Sequence, residues 1–226
     1  MASRILVIGN KNYSSWSLRA WLALRMAGLA FEEQRIPLSV AGTRAAILRH
    51  SPAGWVPVLH DGALTVWDSL AICEYAAEQA PQAGLWPAEA AARAHARAIS
   101  AEMHAGFAAL RSALPMNLRA EGAHLALAPE VHAEVERVVA IWEGCRARSG
   151  LAGPFLFGSF TIADAMYAPV VTRFHSYGVA LPPAARAYAD AVRALPALCE
   201  WTAAARAEPE RIPETDAVAL SACARS

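Results

Sequence analysis

The sequence predicts an α/β segment followed by an all-α segment, and three features carry that reading. Over residues 4–80, short β-type runs alternate with helical stretches in the order β-α-β-α-β-β-α. Beyond Pro81 the apolar residues recur at helical spacing almost without interruption. Between the two textures, residues 79–87 hold Pro81, Gly84 and Pro87, the composition of a connection. The implied division is a first domain over 1–80, a linker over 81–87 and a helical domain over 88–226.

Each element has its own signal. Ile5–Ile8 is an apolar run of strand length, and Leu18, Trp21, Leu22 and Met26 then recur near the 3.6-residue period, with Gly28 as the stop. Residues 31–36 read as a second strand ended by Pro37, and residues 43–50 as a short helix. Asp61-Gly62 lies between the apolar runs 56–60 and 64–67, a strong hairpin signal. Asp68-Ser69 opens a helix through Leu70, Ile72, Cys73 and Tyr75. The first two strands can be parallel across a helical crossover, and the last two form the hairpin.

In the second part, residues 90–114 read as one long helix with Ile99, Met103, Phe107, Leu110 and Leu114 inside. Residues 130–148 form another through Val131, Val135, Val138, Trp142 and Cys145. Thr161-Ile162-Ala163-Asp164 fits a capping box ahead of a helix through Met166, Val170 and Phe174. Residues 182–193 and 195–206 finish the bundle, and the acidic, proline-bearing tail after Glu208 reads as loosely held.

Composition excludes several functions. Lys+Arg 20 balance Asp+Glu 20 and the pI is about 7.1, so there is no electrostatic footprint for a phosphate backbone and no nucleic-acid partner is expected. With 56% hydrophobic residues the chain is not a disordered one. Cys73, Cys145, Cys199 and Cys223 are far apart with no C-x-x-C, so neither a metal site nor a dithiol pair is suggested and free buried thiols are expected. The apolar run at Ile5–Ile8 is too short for a signal peptide and no run reaches membrane-spanning length. A soluble, cytoplasmic protein with no membrane partner is the expectation.

Three short segments converge if the first domain folds as read. Tyr13-Ser14-Ser15-Trp16-Ser17 leaves the first strand and enters the first helix, whose N-terminal N–H groups and dipole stabilise an anion. A hydroxyl there can hold a thiolate, although serines at such a place also serve simply as caps. Val56-Pro57 is extended and can be cis, which would turn the Val56 amide outward to pair with an extended peptide; a trans edge strand is the plainer alternative. Asp68-Ser69 at the next helix start can receive a carboxylate and an ammonium, or can merely cap the helix.

In order and spacing these segments resemble the cytosolic glutathione transferases over residues 5–206. Ser14-Ser15-Trp16-Ser17-Leu18-Arg19 is similar to the Ser-Ser-Cys-Ser-x-Arg motif of the zeta class. Residues 51–59, with Pro52 and Val56-Pro57-Val58-Leu59, resemble the family's Asn-Pro-x-x-x-Val-Pro-x-Leu. Residues 68–75 resemble Glu-Ser-x-Ala-Ile-x-x-Tyr, and residues 157–164 the capping segment of the family's helical domain.

The resemblance implies a thioredoxin-like first domain, a helical second domain, a homodimer, and glutathione as co-substrate with no other cofactor. It places Ser14 at the glutathione thiol as the catalytic group, with Ser15 beside it. It sets Val56 and a cis Pro57 against the cysteinyl unit, and Asp68 and Ser69 at the γ-glutamyl end. Tyr13 is the competing thiolate partner, because other classes use a tyrosine near this place.

The electrophile would lie against the helix bearing Ser100, His104, Phe107 and Arg111, which share a face, with Trp16 and Met116 adding apolar surface and Arg119 a second cation; a solvated or dimer-facing Arg111 and a merely polar His104 are the plainer alternatives. Three residues depart from the pattern: Trp16 replaces the zeta cysteine, Trp55 stands where many members carry a polar side chain, and Ser51 replaces asparagine. The first weakens the expectation of maleylacetoacetate isomerase chemistry. A transferase is the leading reading, a glutathione-dependent isomerase or peroxidase the next, and a non-enzymatic ligand- or protein-binding module the third.

Overall fold

A computed structural model describes residues 4–122, 125–148 and 153–223, except for the side chains of 221–223. Strands β1 (Arg4–Ile8), β2 (Glu32–Arg35), β3 (Val58–Asp61) and β4 (Leu64–Val66) form one sheet in the order β2-β1-β3-β4. β1 pairs with β2 in parallel and with β3 antiparallel, and β3-β4 is the hairpin expected at Asp61-Gly62. Alternation splits the sheet's side chains between two layers. Leu6, Ile8 and Leu59 join the main core, while Val7 and Val58 pack with Ile36 and Ile47 in a second cluster. Ile47 belongs to α2 (Thr43–Leu48). β2 is exposed along its length, and its Glu, Gln and Arg side chains suit an edge strand.

On the core side lie α1 (Ser15–Met26) and α3 (Ser69–Gln79). α1 also packs against α7 (Ile162–Ser176), the buried central helix of the second part. Around α7 stand α4 (Ala90–Ala105), α5 (Ala108–Ala113), α6 (Pro129–Arg148), α8 (Pro183–Arg193), α9 (Pro196–Ala207) and α10 (Pro213–Cys223). The architecture is the one expected: a mixed sheet with helices, then a helical bundle.

α7 begins with the capping box read from the sequence. Asp164 Oδ2 accepts from the Thr161 N–H at 2.8 Å and from Thr161 Oγ1 at 2.9 Å, and its Oδ1 accepts from the Leu156 N–H at 3.1 Å. Burial pushes this carboxyl up to about 6 against those three donors. Trp142 meets Tyr167, Phe174 and Tyr188 ring to ring, joining α6, α7 and α8.

The structure corrects three expectations. The helix over 90–114 is broken: α4 ends at Gly106, and Phe107 takes a left-handed φ of 60° before α5 starts. A Cβ on Gly106 would meet the Glu102 carbonyl oxygen at 2.9 Å. Glu134 of α6 caps the new helix by accepting from the Leu110 N–H at 2.7 Å. Apolar periodicity runs through the break because both pieces bury their faces in the same core.

The tail after Glu208 is docked rather than loose. Glu208 accepts from the Lys11 and Asn12 N–H groups at 2.8 and 3.2 Å, Glu210 pairs with Arg35 at 2.7 Å, and α10 follows. Its acids have partners almost 200 positions away, where local pattern cannot find them. Finally, Cys73 and Cys145 are buried thiols, each pushed up to about 12 chiefly by burial, but Cys199 is exposed. The side chain of Cys223 lies outside the described residues.

Asp164→Ala strands three buried donors and is expected to cost about 3 kcal/mol. For a chain of this size that lowers Tm by about 6–12 °C, which calorimetry would measure.

Candidate active site

The loop from β1 into α1 is held from several sides before any functional group is placed. Asn10 accepts from the Tyr13 and Ser14 N–H groups through its carbonyl, and from the Leu38 N–H through Oδ1 at 2.7 Å. A Cβ on Gly9 would come within 2.6 Å of Leu38 Cδ1, so a larger residue there would have to push the Leu38 side chain aside. Asn12 Nδ2 donates to Asn117 Oδ1 at 3.0 Å, tying the loop to the helical part.

Ser14 is the N-cap of α1, yet its side chain makes no capping hydrogen bond. Its Oγ lies 2.7 Å from Ser17 Oγ, which accepts from the Gly9 N–H at 3.1 Å. Ser14 and Ser15 are 6% and 5% exposed and line a cleft of about 620 Å³ together with Tyr13 and Trp16. The opposite wall comes from 38–47 and from Gly54, Trp55 and Val56, with Arg44 folded over Gly54. The Val56–Pro57 bond is cis, as the resemblance implies, and so is Trp67–Asp68, which carried no sequence signal.

Further site residues lie at the start of α3 and around the Trp16 ring. Asp68 caps α3, its Oδ1 accepting from the Leu70 and Ala71 N–H groups at 3.0 and 3.3 Å. Its Oδ2 pairs with His104 Nε2 at 2.7 Å. Ser69 is fully buried, and its Oγ has no partner among the described residues. His104 meets the Trp16 ring edge at 5.1 Å, and the Arg19 and Arg111 guanidiniums lie 4.3 and 5.4 Å from the ring centroid. Trp16, His104 and Arg111 are therefore brought together, whereas Phe107 is turned into the core at the α4–α5 break.

Three of these side chains have partners that the sequence did not point to. Arg119 is not free for a substrate: it donates to the Glu208 and Glu210 carbonyls and to the Tyr13 hydroxyl. That hydroxyl also donates to Asp216 at 2.9 Å and accepts from the Ile212 N–H at 3.2 Å, so Tyr13 faces the docked tail. Ser15 lines the cleft, but its Oγ accepts from Arg173 Nη2 at 3.0 Å.

Arg173, on α7, carried no local sequence signal, since it reaches Ser15 across 158 positions. It is buried with Arg19, and neither has a carboxylate in ion-pair contact among the described residues. Arg19 Nε donates to the Met166 carbonyl at 3.2 Å, while Arg19 Nη1 and Arg173 Nε and Nη1 have no partner among the described residues. Burial, then repulsion from the neighbouring arginines, lowers Arg19 to about 9; burial and Arg111 lower Arg173 to about 10. Both remain cationic at neutral pH.

Among the described residues no group of three or more His, Cys, Asp or Glu side chains could hold a metal, and no helix is long and apolar enough to cross a membrane.

Residues 13–79 match the glutathione S-transferase N-terminal domain and residues 88–204 the C-terminal domain. The chain belongs to the glutathione S-transferase family. A probable maleylacetoacetate isomerase of Caenorhabditis elegans is 32% identical over 99 residues, which is 44% of this chain and 46% of that relative's length. The holo structure of maleyl pyruvate isomerase, a bacterial zeta-class member, is 26% identical with a TM-score of 0.71, covering 92% of this chain and all 100% of its own. The theta-class transferase of Xanthomonas axonopodis pv. citri with glutathione bound is 25% identical, with a TM-score of 0.65 and coverage of 89% and 98%.

Asp68→Ala removes both the α3 cap and the His104 pair and is expected to cost about 1–2 kcal/mol. Asp68→Asn keeps an acceptor for the Leu70 and Ala71 N–H groups and should lose less than half of that in thermal melts.

Proposed function

We propose that the protein is a glutathione-dependent enzyme, a transferase in which the Ser14 hydroxyl holds the glutathione thiolate for attack on a small anionic electrophile. The observation that carries this is a serine at a helix N-terminus, lining a cleft, whose hydroxyl is not spent on capping. The thiolate is the nucleophile. A free thiol near pKa 8.5 is mostly protonated at pH 7, and lowering it by about two units requires roughly 2.7 kcal/mol. A charge-assisted hydrogen bond worth about 1.5–3 kcal/mol and a helix terminus worth about 0.3–1 kcal/mol together reach that figure. The glutathione bound in a theta-class relative supports the choice of thiol.

In this reading the outward-turned Val56 amide pairs with the cysteinyl unit, and the unpartnered Ser69 hydroxyl receives the γ-glutamyl carboxylate. Asp68 reaches the ammonium with the oxygen now held by His104. The buried N–H groups of Arg19 and Arg173, with Arg111 beside Trp16, favour an electrophile bearing carboxylate: an anion there would satisfy donors that are otherwise unpaired. The same cations, and the two isomerase relatives, favour as second reading an isomerase of an unsaturated acid. Trp16 in place of the zeta cysteine speaks for transfer.

Ser14→Ala should cut turnover with an aryl halide at least about tenfold, the loss of roughly one hydrogen bond in the transition state. Tyr13→Phe should stay within about twofold of wild type, because its hydroxyl belongs to the docked tail; full activity in Ser14→Ala with none in Tyr13→Phe would reverse the assignment. Ser69→Ala should raise the glutathione KM more than it lowers kcat, as expected of uniform binding. A panel comparing aryl halides with maleyl-type acids separates transfer from isomerisation.

A further inference from the structure

We propose that Ser17 is a positioning residue that fixes the direction of the Ser14 proton, and this rests on Ser14 being the thiolate donor. Ser17 is completely buried, so no solvent reaches its hydroxyl. A serine hydroxyl has one proton to give and lone pairs to receive. The Ser17 oxygen already receives the Gly9 N–H at 3.1 Å. Among the described residues Ser14 Oγ, 2.7 Å away, is the only acceptor recorded for the Ser17 proton.

Two proton arrangements are conceivable, and burial decides between them. If Ser14 donated to Ser17, the Ser17 proton would be a buried donor without an acceptor, which carries a desolvation penalty. If Ser17 donates to Ser14, every polar atom of Ser17 is satisfied. The Ser14 proton is then released toward the cleft that Ser14 lines. The result is a directed chain, Gly9 N–H to Ser17 Oγ–H to Ser14 Oγ–H to the sulfur anion. Each link polarises the next, so the last donor is strengthened as well as aimed. Helical spacing makes it possible, since residues three apart lie on one face. The Ser14 side chain, which makes no capping hydrogen bond, is engaged by Ser17 rather than by an N–H of the first turn.

The test is titration of the bound glutathione thiol, followed by thiolate absorbance in the ultraviolet, in wild type, Ser14→Ala, Ser17→Ala and Ser17→Thr. In Ser17→Ala the thiol should titrate about one pH unit higher, so turnover at pH 7 falls up to about tenfold and recovers in alkali. The glutathione KM should stay within about twofold. Ser17→Thr, which keeps the hydroxyl, should titrate like wild type. If Ser17→Ala does not fold, Ser17→Cys keeps the volume with a weak donor and should show the same alkaline displacement.

A thiol that moves in Ser14→Ala but not in Ser17→Ala or Ser17→Cys overturns the relay and leaves Ser14 in its role. A thiol that moves in neither serine variant overturns both. Wild-type protein that gives no heat with glutathione in a calorimeter removes the whole reading.

Discussion

The structure depends on the burial of α1 from both sides, by the sheet and α3 on one and by α7 on the other. A helix so enclosed is normally apolar all round, and this one is not, because Arg19 lies inside it. Burying a guanidinium without a carboxylate is costly. Here the cost is reduced by the Met166 carbonyl and by the face of Trp16 at 4.3 Å, a cation–π contact worth up to about 2 kcal/mol when desolvated. The first contact binds α1 to α7, and the second holds Trp16, whose ring also meets His104.

That enclosure also gathers cations near the N-terminus of α1. Arg19, Arg111 and Arg173 lie close enough to act on one another, and Arg173 reaches Ser15 in the first turn of α1. A field of that sign favours an anion over a neutral group. Burial first, and then mutual repulsion, lowers the pKa of Arg19 and Arg173, so these buried cations weaken the fold. Unpaired buried charge kept in this way is more readily understood as recognition than as stability.

Tyr13 and Ser14 are neighbours in sequence with opposite fates. The backbone turn closed on Asn10 sends the Ser14 side chain to the cleft and the Tyr13 hydroxyl to Asp216, Arg119 and Ile212. The C-terminal strap thus does more than add burial. It takes up the Tyr13 hydroxyl and Arg119 and leaves the Ser14 hydroxyl at the cleft.

Local regularities were legible in the chain itself: the hairpin at Asp61-Gly62, the Thr161–Asp164 box, the strand and helix periods, and serine and aspartate at two helix starts. All of these are set by residues within a few positions of one another, where spacing and backbone chemistry suffice. Only tertiary structure decided the rest, including the break at Phe107, the docking of Glu208 and Glu210, the meeting of Ser15 with Arg173, and the pairing of His104 with Asp68. Each joins groups distant in sequence, or depends on which of two equally good local states the surrounding core permits. A pattern of residue types records what a side chain can do, whereas burial and the neighbours it brings determine which of those things it does.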